Sequence, residues 1–213
     1  MLKLAVLLVT IGIASAATGF HVEQALGTTT MTCMKNAGLS FYISRIWRSN
    51  GVFDSAGIQN IKNAHAAGFS HVDAYIIPCT NTSCAHASNQ IEAALNHLHP
   101  SGASIGTVWL DVEICQWPAD KTHNRQFVLD MANKATSMGY KVGIYTSNNN
   151  WEDIVGLDWT GASLYSLWWA NYDGQANFNN FESFGGWSKP DIHQYSGGVT
   201  GPCGFRTDLN WYP

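Results

Sequence analysis

From Phe20 onward, short runs rich in β-branched and aromatic residues alternate with longer stretches whose apolar positions recur at helical spacing. The first pattern predicts strands at Phe20-Gln24, Phe41-Trp47, His71-Pro78, Ile105-Glu113, Lys141-Ser147, Ser166-Tyr172, Ile192-Ser196 and Thr207-Tyr212. The second predicts helices over Thr30-Ala37, Asp54-Ala67, Ala85-Leu98 and Asp120-Met138, with a short turn at Asn150-Ile154. Gly38, Gly68 and Gly139 follow helical runs, where a left-handed cap stops a helix. Strand, helix, strand with short links implies parallel pairing, because each crossover helix returns the chain to the same edge. Eight strands suggest closure. The first five carry helices and the last three are joined by loops, so the expected fold is α/β, an irregular TIM-like barrel in a single domain.

The first residues read differently. Lys3 precedes an apolar run from Leu4 to Ile13, then Ala14-Ser15-Ala16, the small-x-small pattern of a signal peptidase site. Residues 1–16 are expected to be a signal peptide and 17–213 the barrel. The apolar run is too short to span a bilayer, so an exported protein is expected, secreted or held in an endomembrane digestive compartment such as a lysosome or phagosome. The chain carries a formal charge of −4. This excludes nucleic acid or an anionic membrane as the main partner, since both reward clustered Lys and Arg. Nine Trp, eight Tyr and nine Phe offer flat apolar faces of the kind sugars also present.

Five cysteines in an exported chain read first as disulfides. Cys79 and Cys84 bracket a short polar segment and are expected to close a loop, while Cys33, Cys115 and Cys203 can supply one more bridge and leave one thiol. The sequence leaves that pairing open. No Cys-x-x-Cys or matching His pair is present, and His97 and His99 diverge on a helix, so no metal is expected. Asn81-Thr82-Ser83 is the only glycosylation sequon.

In a barrel of this kind, loops from different strands converge at one face, and strand ends carry function. Asp73, Tyr75, Asp111, Glu113, Tyr145, Trp168, Trp169, Gln194, Asp208 and Asn210 all fall near the predicted C-terminal ends of strands. Asp111-Val112-Glu113 is the sharpest of these. Strand alternation sends Asp111 and Glu113 to one face and Val112 to the other. Two acids at the mouth of an apolar element raise each other's proton affinity, which keeps one able to donate a proton near neutral pH. That is the chemistry of glycoside hydrolysis.

With these residues placed, the chain resembles lysozymes of glycoside hydrolase family 25, in the secreted eukaryotic branch. The resemblance runs over the whole mature chain and is carried by Trp109-Leu110-Asp111-Val112-Glu113, Gly143-Ile144-Tyr145-Thr146-Ser147, Leu167-Trp168-Trp169-Ala170-Asn171-Tyr172, His193-Gln194-Tyr195-Ser196 and Thr207-Asp208-Leu209-Asn210-Trp211. It implies a (β/α)5(β)3 barrel that cleaves the β-1,4 bond between N-acetylmuramic acid and N-acetylglucosamine in bacterial peptidoglycan. Glu113 matches the proton donor, Asp111 its neighbouring carboxylate and Asp208 the acid on the last strand. Tyr75 and Tyr145 match groove tyrosines, Trp168 an aromatic wall, and Gln194 and His21 stand among the substrate-binding positions. His21, in Gly19-Phe20-His21-Val22-Glu23, departs from the pattern, which usually has an Asp there. Glu23 or Asp73 is a candidate replacement carboxylate. The expected mechanism has Glu113 as general acid and either Asp111 orienting the substrate's 2-acetamido group or Asp111 or Asp208 acting as base on an attacking water, with no cofactor and peptidoglycan glycan strands as the partner of a monomer. The alternatives are a chitinase-like hydrolase and a non-hydrolytic carbohydrate-binding immune effector.

Overall fold

The computed structural model describes residues 16–113 and 116–213. The expected signal peptide, apart from Ala16, and Cys115 lie outside the described residues. The elements run β1 (Ala17–Val22), α1 (Thr28–Asn36), β2 (Phe41–Arg48), β3 (Val52–Phe53), α2 (Ser55–Ala66), β4 (His71–Ile76) and α3 (Ala87–Ser101). They continue with β5 (Thr107–Asp111), α4 (Lys121–Ser137), β6 (Lys141–Thr146), α5 (Asn148–Ile154), β7 (Ser166–Ala170), β8 (Ile192–Thr200) and β9 (Arg206–Tyr212). Eight strands close a ring in the order β1, β2, β4, β5, β6, β7, β8, β9, and β9 pairs back to β1. This is the expected α/β barrel. Pairing is parallel from β1 round to β8, while β9 runs antiparallel to both of its neighbours.

Local chemistry explains the boundaries. Gly38, Gly68 and Gly139 take φ of 97°, 86° and 85°, the left-handed conformation that stops α1, α2 and α4. Asp120 precedes α4 as its N-cap, its carboxylate accepting from the backbone N–H groups of Thr122 and His123. Two differences from the sequence pattern stand out. β3 is a two-residue strand with no period to read, folded antiparallel onto the end of β2. β8 runs on to Thr200 because it forms a hairpin with β9, whose register shifts on either side of Ser196.

Strand parity divides the core into two layers. Outward residues such as Phe20, Tyr42, Val108, Leu110, Val112, Ile144 and Leu167 pack with the helices. Inward residues form a separate cluster of Ala17, Phe41, Ile43, Tyr75, Trp109, Tyr145, Trp168 and Ile192. Five aromatic rings inside one barrel need backbone stripped of side chains beside them. A Cβ on Gly143 would lie 2.2 Å from the Trp109 ring, and one on Gly19 would lie 2.5 Å from the Phe41 ring.

Cys33 is bonded to Cys203, tying α1 to the turn before β9, and Cys79 is bonded to Cys84 as expected. The open pairing among the other cysteines is thus resolved for Cys33 and Cys203. No helix among the described residues is long and apolar enough to cross a membrane.

The barrel filling yields a direct expectation. Gly143→Ala should destabilise the fold by about 1–3 kcal/mol through overpacking against Trp109, read as a lower urea midpoint with an unchanged slope. A midpoint equal to that of the wild type would mean that Trp109 moves aside freely.

Candidate active site

Val112 decides where the acids of β5 point. Its side chain is fully buried in the outer layer, its N–H donates to Tyr145 O at 2.9 Å, and its carbonyl accepts from Thr146 Oγ1 at 2.7 Å. Anchored outward in this way, it leaves Asp111 and Glu113 on the inner side. Both line a small central cavity of about 110 Å³ at the C-terminal mouth of the parallel strands, together with His21, Glu23, Tyr75, Tyr145, Trp168, Tyr172 and Asp208. Two larger hollows flank it. One, of about 440 Å³, shares Glu113, Tyr145 and Tyr172 with the centre and is edged by Asn149, Asn150, Asn171, Asn180 and Glu182. The other, of about 430 Å³, shares His21, Glu23, Tyr172 and Asp208 and continues past Gly197, Gly198 and Arg206. Shared walls make the three a trough with the acids at its middle.

Asp208 reaches this face for a reason the sequence pattern does not carry. It lies near the start of β9, not near a C-terminal strand end, and the inversion of β9 sets it directly across from His21. His21 Nε2 is 3.0 Å from Asp208 Oδ2, and the Gly198 N–H donates to Asp208 Oδ1 at 2.5 Å. Burial opposes ionisation of Asp208, but the hydrogen bonds from His21 and the Gly198 N–H and the positive charge of Arg206 hold its carboxyl below the ordinary 3.8. Glu113 moves the other way. Burial is the main cause of its raised proton affinity, the charges of Glu23 and Asp208 add to it, and positive charge on His21 works against it. The two carboxyls are therefore pushed apart, one toward the acid form and one toward the carboxylate.

Of the two candidate replacement carboxylates, only Glu23 stands at the site. Arg45 Nη1 holds it at 2.6 Å, and Arg45 Nε is itself fixed to the buried Asp54 at 2.8 Å, which also accepts from Arg48 at 2.9 Å. Asp73 does not reach the mouth. It sits a layer lower on β4, accepting from the Thr107 N–H at 2.8 Å and from Trp109 Nε1 at 3.0 Å, with His71 Nε2 at 3.3 Å. A carboxylate inside an apolar barrel needs such donors, and they hold it there.

Tyr75, Tyr145 and Trp168 form the aromatic floor and wall. The Trp168 ring lies 4.5 Å from Tyr145, 6.0 Å from Tyr75 and 5.7 Å from His21, and its Nε1 donates to Asn210 Oδ1. Burial pushes the phenols of Tyr75 and Tyr145 well up, so both stay as hydroxyls. Trp169 faces the opposite way, stacked on His193 at 4.3 Å. Gln194 is fully buried and reaches the trough only through its partners. Arg45 and Tyr172 escaped the sequence reading. A charged residue inside the apolar run Phe41-Trp47 was the available signal for Arg45, whereas for Tyr172, 61% exposed, it was the place at the end of the expected strand Ser166-Tyr172. Among the described residues no group of three or more His, Cys, Asp or Glu could hold a metal ion.

Comparison with known proteins bears on the family and the fold. The family described as Lysozyme-like protein 1 matches residues 13–195. Lysozyme-like protein 5 of Caenorhabditis elegans is 48% identical, with 94% of each chain covered. Probable GH family 25 lysozyme 2 of Dictyostelium discoideum is 38% identical over 93% of this chain and 92% of its own. Among solved structures, a muramidase from Trichobolus zukalii superposes with a TM-score of 0.74 at 17% identity, covering 92% of this chain and 93% of that one, and a family GH25 lysozyme from Aspergillus fumigatus with 0.73 at 17%, covering 93% and 94%. Those two share the fold. By sequence and by barrel, the chain belongs to the lysozymes of glycoside hydrolase family 25.

Proposed function

We propose that the protein is a peptidoglycan-cleaving lysozyme, an N-acetylmuramidase, with Glu113 as its general acid. The observation that carries this reading is a half-buried Glu113, its proton affinity raised, at the centre of a trough open on both sides. A linear glycan laid along such a trough brings an internal glycosidic oxygen to Glu113. Glu113 gives its proton to the leaving O4 oxygen as the adjoining sugar gains oxocarbenium character. Asp111, two residues earlier on the inner face, orients the 2-acetamido group of that sugar, whose carbonyl oxygen attacks the anomeric carbon. Asp208, held ionised, supplies negative charge to the developing cation. Tyr75, Tyr145 and Trp168 offer the sugar apolar faces.

Two disulfides support folding in an oxidising compartment, and with the leader pattern in residues 1–16 this favours secretion or delivery to a digestive lumen. Retention of Glu113, Asp111 and Asp208 around one cavity favours turnover over binding alone.

Glu113→Gln should reduce hydrolysis of purified peptidoglycan by at least about 10²-fold while the thermal unfolding transition stays close to wild type, since the amide keeps the shape but cannot donate the proton. Turnover above about a tenth of wild type would remove Glu113 from the role. The pH profile supplies a second check. Activity requires protonated Glu113, so it is present below that group's pKa and lost as pH rises through it. Glu23→Gln removes a charge that raises this pKa, so the alkaline limb should move to lower pH. An unmoved limb, or one moved upward, would place Glu23 outside electrostatic reach of the acid.

A further inference from the structure

The mechanism leaves a fully buried amide, Gln194, without a task. Its Oε1 accepts from Tyr145 Oη at 2.7 Å and from Tyr172 Oη at 2.8 Å, and its Nε2 lies 3.0 Å from His21 Nδ1. His21 Nε2 is in turn 3.0 Å from Asp208 Oδ2. An amide has one accepting end and one donating end. With Oε1 committed to two phenol hydroxyls, only N–H hydrogens face His21, and Nδ1 joins the chain as an acceptor. The one hydrogen of a neutral imidazole then sits on Nε2, where the Asp208 carboxylate needs a donor. Every group in the chain is satisfied in this pattern. Reversing the amide would demand hydrogens on both ring nitrogens and would turn both phenols into acceptors. Tyr75 and Trp168 present edge-to-face contacts to the ring at 5.5 and 5.7 Å, and the carboxyls of Glu23, Asp111 and Glu113 and the Tyr172 phenol line the same cavity as His21.

We propose that Gln194 is a positioning residue that, through Tyr145 and Tyr172, holds His21 as the neutral Nε2–H tautomer, so that His21 donates a hydrogen bond to Asp208 without placing positive charge beside Glu113. This rests on the reading of Glu113 as the acid. A positive charge at His21 draws Glu113 toward its ionised form, so a neutral ring leaves the proton available.

The test is a long-range ¹H–¹⁵N correlation spectrum of the ¹⁵N-histidine-labelled protein at neutral pH without substrate, with His21 assigned by the signals missing from His21→Gln. The wild type should show Nδ1 unprotonated and Nε2 protonated. Gln194→Glu keeps the shape and both phenol bonds but offers His21 only acceptors, so both ring nitrogens should become protonated at the same pH. His21 lines the cavity and position 194 does not, so in Gln194→Glu the imidazolium is the charge nearer the cavity, and kcat on peptidoglycan should fall by about tenfold or more with KM little changed. A protonated Nδ1 in the wild type, His21 nitrogens unaltered by Gln194→Glu, or a doubly protonated ring with undiminished kcat would each overturn the proposal. Because the spectra need no substrate, the tautomer stands or falls separately from hydrolysis by Glu113.

Discussion

The inversion of β9 is the constraint on which the site depends. Entering between β8 and β1 against the direction of both, it pairs Asp208 with His21 and Asn210 with Gly19 on one side and Gln194 on the other. A position so near the start of a parallel strand would lie at the far end of the barrel from Glu113. Inverted, it lies at the mouth. Thr207 adds a hydroxyl bond to the His21 carbonyl at 2.9 Å, and the Cys33–Cys203 bond ties the approach to β9 onto α1. Closure of the ring and assembly of the acids are therefore the same event.

The second constraint is the filling of the barrel. Phe41, Tyr75, Trp109, Tyr145 and Trp168 make up most of the inward apolar cluster, and the glycines at 19 and 143 leave room for two of those rings. Tyr75, Tyr145 and Trp168 of this plug line the cavity beside Glu113, and burial is the largest cause of that group's raised proton affinity. The same plug contains its own polar accounting: Asp73 takes the Trp109 indole hydrogen and Asn210 that of Trp168. Packing below and the wall of the trough above are thus joined through Trp168, whose ring lines the cavity and whose indole N–H is held by Asn210.

Much of this was legible in the sequence, because period and parity are local properties. The strand runs, the glycine stops after α1, α2 and α4, and the common face of Asp111 and Glu113 follow from alternation and from backbone conformations that glycine tolerates. Strand direction is not local. Nothing in Thr207-Tyr212 says that it runs against its neighbours, so Asp208 was placed on the right face for the wrong end of its strand. Depth along a strand is similarly hidden: Asp73 and Tyr75 share a parity, but one is a layer below the other and bound by donors from β5. The chain Asp54, Arg45, Glu23 joins three segments and could be read only after folding. Gln194 is a different case, since its residue type was suggestive but its burial, and hence its action through partners, was not.

Burial raises the proton affinity of Glu113, the inverted strand sets Asp208 against His21, and Gln194 stands behind that pair. The most direct test of this account is a ¹³C titration of the side-chain carboxyl of Glu113 in the labelled, substrate-free protein, with Glu113→Gln identifying the signal. The account predicts a midpoint above the ordinary glutamate value of 4.5 while the Asp208 carboxyl titrates below 3.8. A Glu113 midpoint at or below the ordinary value would contradict it, because the acid would then enter the reaction already ionised.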